Sequence, residues 1–312
     1  MSVKSIVITL ITIISIIFFS KDVSAEAIKV SSYNDFRDKL CMQIRNHTEQ
    51  QFYEFPSSGL AREVQTSDFG IDLSYHYNPK DPLNSGCYLQ SFVESYLTTT
   101  YSNKMFLMRI MFRYSKEDID AHLENIEKIS KSLKKATDFE TILAVHDYLV
   151  DNFVYDDFSE KTAFRNHTDL EGFRDGRMVC SGYAWATYYM LNCLGIKTRL
   201  IYGYGGEGTG SENHAWNIVN LDNTWYNVDV TWDDFSPGKK DYTYFLKSDK
   251  DFKLHQRTDN DYQSKVSGLL SPTSYKLPKE LIPMNTKPIA VGILLTLSLA
   301  VAALIAKEKS QE

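Results

Sequence analysis

Clustered positive charge is missing from this chain. Its 312 residues carry 34 Lys and Arg against 40 Asp and Glu, a formal net charge of -6, with no long basic run. Nucleic-acid binding needs Lys and Arg gathered against phosphates, so that class is set aside. Internal repeats and low-complexity tracts are absent too, which points to globular domains rather than arrays or disordered segments. No paired His or Cys spacing marks a metal centre; His214, Asp229, Asp233 and Asp234 are the nearest approach to a ligand set. The glycine-rich stretch GYGGEGTGSEN (203–213) lacks the Lys-Ser/Thr ending of a phosphate loop and reads as a mobile connection. Cysteines number only four. Cys180 and Cys193 fall in one predicted helix, about 20 Å apart along its axis, and cannot bridge. Cys41 and Cys87 lie together in the N-terminal half, where a disulfide is open to them.

Two apolar runs bracket the chain. Lys4 precedes an uncharged stretch from Ile6 to Phe19, and Val23-Ser24-Ala25 offers small residues for cleavage, so residues 1–25 are expected to be a secretory signal. An uncleaved anchor is the alternative, for which the run is short. Ile289 to Ala306 carries no charge and would reach about 27 Å as a helix, close to the thickness of a hydrocarbon core, so a single transmembrane helix is expected there. Lys307 and Lys309 follow it and place the tail, 307–312, in the cytoplasm, with everything between Glu26 and Pro288 outside. A sortase-type wall anchor is the rival reading, but Lys279-Glu280 after Leu277-Pro278 does not fit its signal.

Between these runs the expected organisation is α+β. A small α/β domain of unassigned role (26–114) precedes a larger one (115–265), and a juxtamembrane linker (266–288) follows. Ser32 with Asp35 resembles a capping box, and Tyr33, Phe36, Leu40 and Ile44 continue it at helical spacing. Residues 52–100 are punctuated by proline and glycine, and Met105 to Tyr114 reads as a strand. Ser115 with Asp118 opens a helix striped by Ile119, Leu123, Ile126, Ile129 and Leu133. Thr137 with Glu140 opens another, with Ile142, His146, Leu149 and Phe153 on one face; His146 there reads as a packing residue.

Met178 to Gly195 predicts a helix with Cys180 in its first turn, an inner face of Cys180, Ala184, Thr187, Tyr188 and Leu191, and Gly195 as its stop. Unpaired N–H groups and the helix dipole at that end favour a thiolate. Taken alone, Cys180 reads better as a buried structural cysteine, and its partners must break the tie. Downstream, strands 214–221 and 224–232 meet at Asp222-Asn223, a pair suited to a two-residue hairpin. With that loop, Asp229 faces Trp216 and His214 faces Thr231, so His214 and Asp229 share a face as diagonal neighbours about 7–8 Å apart at Cα. A carboxylate there orients an imidazole, which takes the thiol proton and later returns it to a leaving group.

VCSGYA at Cys180, NHAW at His214 and WYNVDVTWD at Asp229 resemble, in order, the three core blocks of the transglutaminase-like superfamily, and HDYLVDNFVYD (146–156) resembles the helix before the first block. The likeness covers roughly 115–248. It implies a papain-like fold, with a nucleophile helix packed on an antiparallel sheet, and a triad of Cys180, His214 and Asp229 working through a thioester without cofactor or metal. The Cys180 N–H would serve as one oxyanion donor, and Trp185 and Trp216 are candidates for an acyl pocket, with core packing the stronger reading for both. The expected activity is extracytoplasmic hydrolysis or exchange of amide bonds in polypeptides or cell-wall peptides, as a cysteine peptidase, amidase or transglutaminase. A non-catalytic surface peptide-binding module is the alternative, and the N-terminal domain is a candidate pro-region.

Overall fold

A computed structural model describes residues 26–156, 167–207, 211–234, 240–258 and 268–281. The chain divides into two compact units, residues 1–78 with 84–116 and residues 79–83 with 117–312. The first contains β1 (Ile28–Lys29), α1 (Tyr33–Arg45), β2 (Gln50–Glu54), α2 (Ser58–Thr66), α3 (Phe69–Ser74), α4 (Gly86–Leu89), β3 (Val93–Ser102) and β4 (Met105–Phe112). Its sheet runs β1-β2-β4-β3, parallel at β1–β2 and antiparallel elsewhere.

Helix α1 buries Phe36, Leu40 and Ile44, one residue per turn, and Phe36 meets Tyr53 and Phe106 edge-on at 5.1 and 6.1 Å. Ser32 caps it by accepting from the Asp35 N–H at 3.1 Å. The expected box is displaced by one residue, because the Asp35 carboxylate accepts from the N–H of Ser31, not Ser32. Strand β3 falls in the stretch that proline and glycine made look irregular. It is an edge strand with Leu97 and Tyr101 on its exposed side, so an alternation set by burial on one face only was easily missed. No disulfide joins Cys41 and Cys87; the Cys41 Sγ lies 3.5 Å from His76 Nδ1.

The second unit holds α5 (Lys116–Ser132, entering it at Glu117), α6 (Asp138–Asn152), β5 (Val154–Tyr155), α7 (Asp169–Asp175), β6 (Arg177–Met178), α8 (Cys180–Cys193), β7 (Thr198–Gly205), β8 (Glu212–Leu221), β9 (Thr224–Val228), α9 (Val230–Asp233) and β10 (His255–Arg257). Thr137 and Glu140 close a full capping box on α6. On α5 the buried stripe is Ile119, Leu123 and Ile126, continued by Ser130 where Ile129 was expected.

The helix of the nucleophile is more deeply placed than its pattern suggested. Every residue of α8 from Gly182 to Asn192 except Trp185 is buried, so it has no single inner face. Helices α6 and α7 cover it on one side and β7 and β8 on the other. A helix apolar all round belongs inside a layered core. Gly195, at φ 81°, stops it, and the Ile196 N–H closes on the Leu191 carbonyl at 2.9 Å.

The sheet beside it is antiparallel throughout, in the order β10-β7-β8-β9. Asp222 and Asn223 adopt φ 52° and 60°, as a two-residue hairpin turn of this hand requires, and Leu221 pairs with Thr224. That register holds as far as Asn217 opposite Val228 and stops there. The strand expected to reach 232 gives way at Asp229 to α9. Thus Asp229 has no strand partner; its N–H goes to the Tyr244 carbonyl at 3.1 Å.

Residues 203–205, expected in a mobile connection, are strand residues of β7, and 212–213 begin β8. Within the segment expected as a linker, Leu270 bridges to Trp225 and Tyr275 stacks on Phe139 at 5.2 Å. The expected signal (1–25) and transmembrane helix (289–306) lie outside the described residues, among which no helix is long and apolar enough to cross a membrane.

Candidate active site

Cys180 is the first residue of α8, immediately after β6, which pairs in parallel with β5. Its N-cap, Val179, has no side-chain oxygen to satisfy the free N–H groups of the first turn, and the first intrahelical bond starts only at the Tyr183 N–H. The thiol is half-buried, at an end of the helix where donors and the dipole favour negative charge. Buried Asn217 of β8 donates to the Ala184 carbonyl at 3.0 Å and so pins this helix to the sheet.

His214 stands on β8 opposite Gly203 of β7. Its Nε2 lies 2.7 Å from Asp229 Oδ2, and the Cys180 side chain is its other hydrogen-bond partner. An ionised carboxylate only accepts, so Nε2 carries a proton and Nδ1 is left to face the thiol. Burial opposes charge on this ring, but the Asp229 carboxylate outweighs it and raises the imidazole pKa to about 10. Asp229 is buried as well. Against the cost of that burial, His214 and then His255 hold its carboxyl well below the usual range.

Asp229 does two jobs at once. Its Oδ1 caps α9, accepting from the Thr231 and Trp232 N–H groups at 3.0 and 3.3 Å, a contact worth about 1 kcal/mol. Its Oδ2 serves the histidines. The pair expected as diagonal neighbours on two strands is therefore made from a strand histidine and a helix N-cap, which aims the carboxylate more rigidly than a strand position would.

His255 was missed by sequence reasoning. It sits on β10 with Nε2 2.9 Å from the same Asp229 Oδ2, and its side chain is 1% exposed. A lone histidine in FKLHQR, 26 residues beyond Asp229, belongs to no motif or period that would have flagged it. The glycines of β7 make room for this convergence. A Cβ at Gly205 would lie 2.8 Å from the Trp232 ring and 3.2 Å from the His214 ring, and one at Gly203 would meet the Gln256 carbonyl and Trp216.

Trp216 is 1% exposed in a cluster with Ile201, Ile218 and Phe252, which makes it core; Trp185 is half-buried. The residues weighed for a metal separate in space. Asp233 bonds His146 and the Tyr244 N–H, and Asp234 bonds the Tyr183 hydroxyl. Among the described residues, His214, Asp229 and His255 bring their ligand atoms within 4.8 Å of one another, but both Nε2 atoms sit at hydrogen-bond distance from one carboxylate oxygen. That is the arrangement of two donors on one acceptor.

His146 is buried, with Asp233 Oδ2 3.1 Å from Nε2 and Asp147 Oδ1 3.1 Å from Nδ1. Burial works against its charge, yet the two carboxylates prevail and raise its pKa to about 9. Both ring nitrogens are thus taken up by carboxylates, and among the described residues no nucleophile faces it.

Residues 127–230 match the model of the transglutaminase-like superfamily, and the chain carries a domain of that superfamily. His255 lies beyond the matched residues. Over 119 residues the chain is 30% identical to the kyphoscoliosis peptidase of Homo sapiens and 29% identical to that of Mus musculus, spanning 34% of this chain but only 18% of either relative. Among solved structures, a crystal structure of a TGase overlaps 52% of this chain and 50% of its own at 15% identity and a TM-score of 0.34. The periplasmic domain of TgpA from Pseudomonas aeruginosa overlaps 41% and 53% at 18% identity and a TM-score of 0.29.

Proposed function

We propose that this protein is a thiol acyl-transfer enzyme that cleaves or exchanges amide bonds of polypeptides or cell-wall peptides, with Cys180 as nucleophile, His214 as base and acid, and Asp229 as orienter. The observation that carries this reading is the relay itself. Asp229 holds His214 Nε2 at 2.7 Å while the other side of the ring meets the Cys180 thiol at a helix N-terminus.

In the forward step Sγ of Cys180 bonds to the substrate carbonyl carbon while Nδ1 of His214 holds the proton that the thiol has given up. The carbonyl oxygen becomes an oxyanion at the first turn of α8, where the Cys180 N–H is a donor. Collapse of the adduct breaks the C–N bond, and the proton on Nδ1 goes to the leaving amine. The thioester is then released by water, which makes a peptidase or amidase, or by a second amine, which makes a transglutaminase. The name of the curated relatives favours the first outcome.

An extracytoplasmic, membrane-held position is part of the proposal. It rests on the apolar runs at 6–19 and 289–306 and on the lysines after the second.

Incubating the full-length protein with a peptide library and a labelled primary amine, beside Cys180→Ala, tests the reading. New peptide termini or amine incorporation that vanish in the variant are expected. Peptide binding with no covalent product in either protein would make this a binding module.

A further inference from the structure

Asp229 Oδ2 is shared. His214 reaches it at 2.7 Å from β8, and His255 reaches it at 2.9 Å from β10, with β7 between them and Gly205 of that strand leaving room for the His214 ring. We propose that His255 is a positioning residue of this site, a second N–H donor that fixes the Asp229 carboxylate and divides its charge between two imidazoles. The proposal deepens the triad reading and rests on it.

Three observations support the assignment. First, the ring is clamped: it stacks on Phe252 at 3.9 Å and 29°, and meets Trp232 at 4.3 Å and Trp216 at 5.1 Å. Second, both of its nitrogens face pure acceptors, with Nδ1 3.0 Å from the Lys253 carbonyl and Nε2 on a carboxylate. An ionised carboxylate only accepts, so Nε2 carries the N–H. Third, among the described residues its neighbourhood holds little else to pair with. The titratable groups around it are Asp229, His214 and Tyr244, while Arg257 of the same strand is committed to Asp249 and Asn227.

The consequence for the site follows from charge. His214 alone on Asp229 would meet an undivided carboxylate. A second N–H donor on Oδ2 tempers that attraction, so His214 surrenders its proton to a leaving group more readily. With Oδ1 tied to α9 and Oδ2 to two rings, the carboxylate has no free rotation left.

The test is the rate of iodoacetamide alkylation of Cys180 in the full-length protein across pH 5 to 9, with Cys193 in the same sample as an internal reference. In His255→Ala the Cys180 rate at pH 7 is expected to fall about tenfold, the scale of one lost hydrogen bond to a charged group. His255→Gln, which restores an N–H near the position of Nε2, is expected to recover most of the rate. An unchanged rate in His255→Ala, a parallel change at Cys193, or no recovery with Gln would each overturn the proposal. So would a wild-type rate altered by EDTA, which would make the three side chains metal ligands. The triad reading fails separately, and takes this one with it, if wild-type Cys180 reacts no faster than Cys193. A fast Cys180 that His214→Ala slows and His255→Ala leaves alone sinks only the role of His255.

Discussion

The two ends of the short helix α9 carry the same chemistry to different ends. Asp229 at its N-cap holds His214, and Asp233 in its last position holds His146; all four groups are buried, and both histidines are held protonated by the carboxylate beside them. What differs is the second ring nitrogen. In His214 it faces a half-buried thiol at a helix terminus. In His146 it faces another carboxylate, Asp147, which is closed off in turn by Lys240 and the Tyr242 hydroxyl. A buried His–Asp pair is therefore no mark of catalysis by itself; the partner on the far side of the ring decides.

Exchanging the roles by mutation should break this comparison most plainly. His214→Ala is expected to lower acyl-transfer turnover by about 10²–10⁴-fold, the usual worth of a positioned acid-base group. His146→Ala, by stranding Asp233 without its cation, is expected to cost about 3–5 kcal/mol in urea denaturation while leaving the alkylation rate of Cys180 within about twofold. Equal losses of turnover in both would mean that the two pairs are not functionally distinct.

Stability against pH sharpens the same contrast. His146 and His214 have folded pKa values of about 9 and about 10, above the ordinary 6.5. Each therefore contributes stability that is complete below pH 6.5 and is lost as pH rises through 9 and 10 respectively. Wild-type stability should decline across that window, and in His146→Gln the decline between 6.5 and 9 should be shallower by about 1.4 kcal/mol per pH unit, one proton's worth. An identical slope in the variant would show that His146 does not hold a proton in the fold.

The smallest effect expected is at the outer edge of the second pair. Lys240 bonds Asp147 at 3.0 Å and Asp151 at 2.8 Å, but its side chain is 36% exposed. Solvent screening should hold the cost of Lys240→Ala to about 0.5 kcal/mol. A cost of several kcal/mol would place Lys240 inside the buried network.

Much of the local structure is legible in single residues. Thr137 with Glu140 marks the start of α6, Gly195 the end of α8, and Asp222-Asn223 the hairpin, because each is a backbone requirement met by a neighbour within a few positions. Three motif blocks likewise bring Cys180, His214 and Asp229 to notice. Strand β3 escapes because its one-sided exposure comes from its place at a sheet edge. The end of β9 escapes because nothing in WYNVDVTWD distinguishes a strand residue from an N-cap until the Asp229 N–H finds the Tyr244 carbonyl.

The sequence by itself determined the class of chemistry on offer, the helix that begins at Cys180 and the register of the hairpin that carries His214. All of these are set by contacts within one element or across one tight turn. Only the tertiary structure decided that Asp229 would cap a helix, that His255 would share its oxygen from another strand, and that His146 would be enclosed by carboxylates. Those outcomes depend on residues 26 and 87 positions apart in no recognisable spacing, brought together by close approach across glycines and by the burial of charge, which the order of residues does not display.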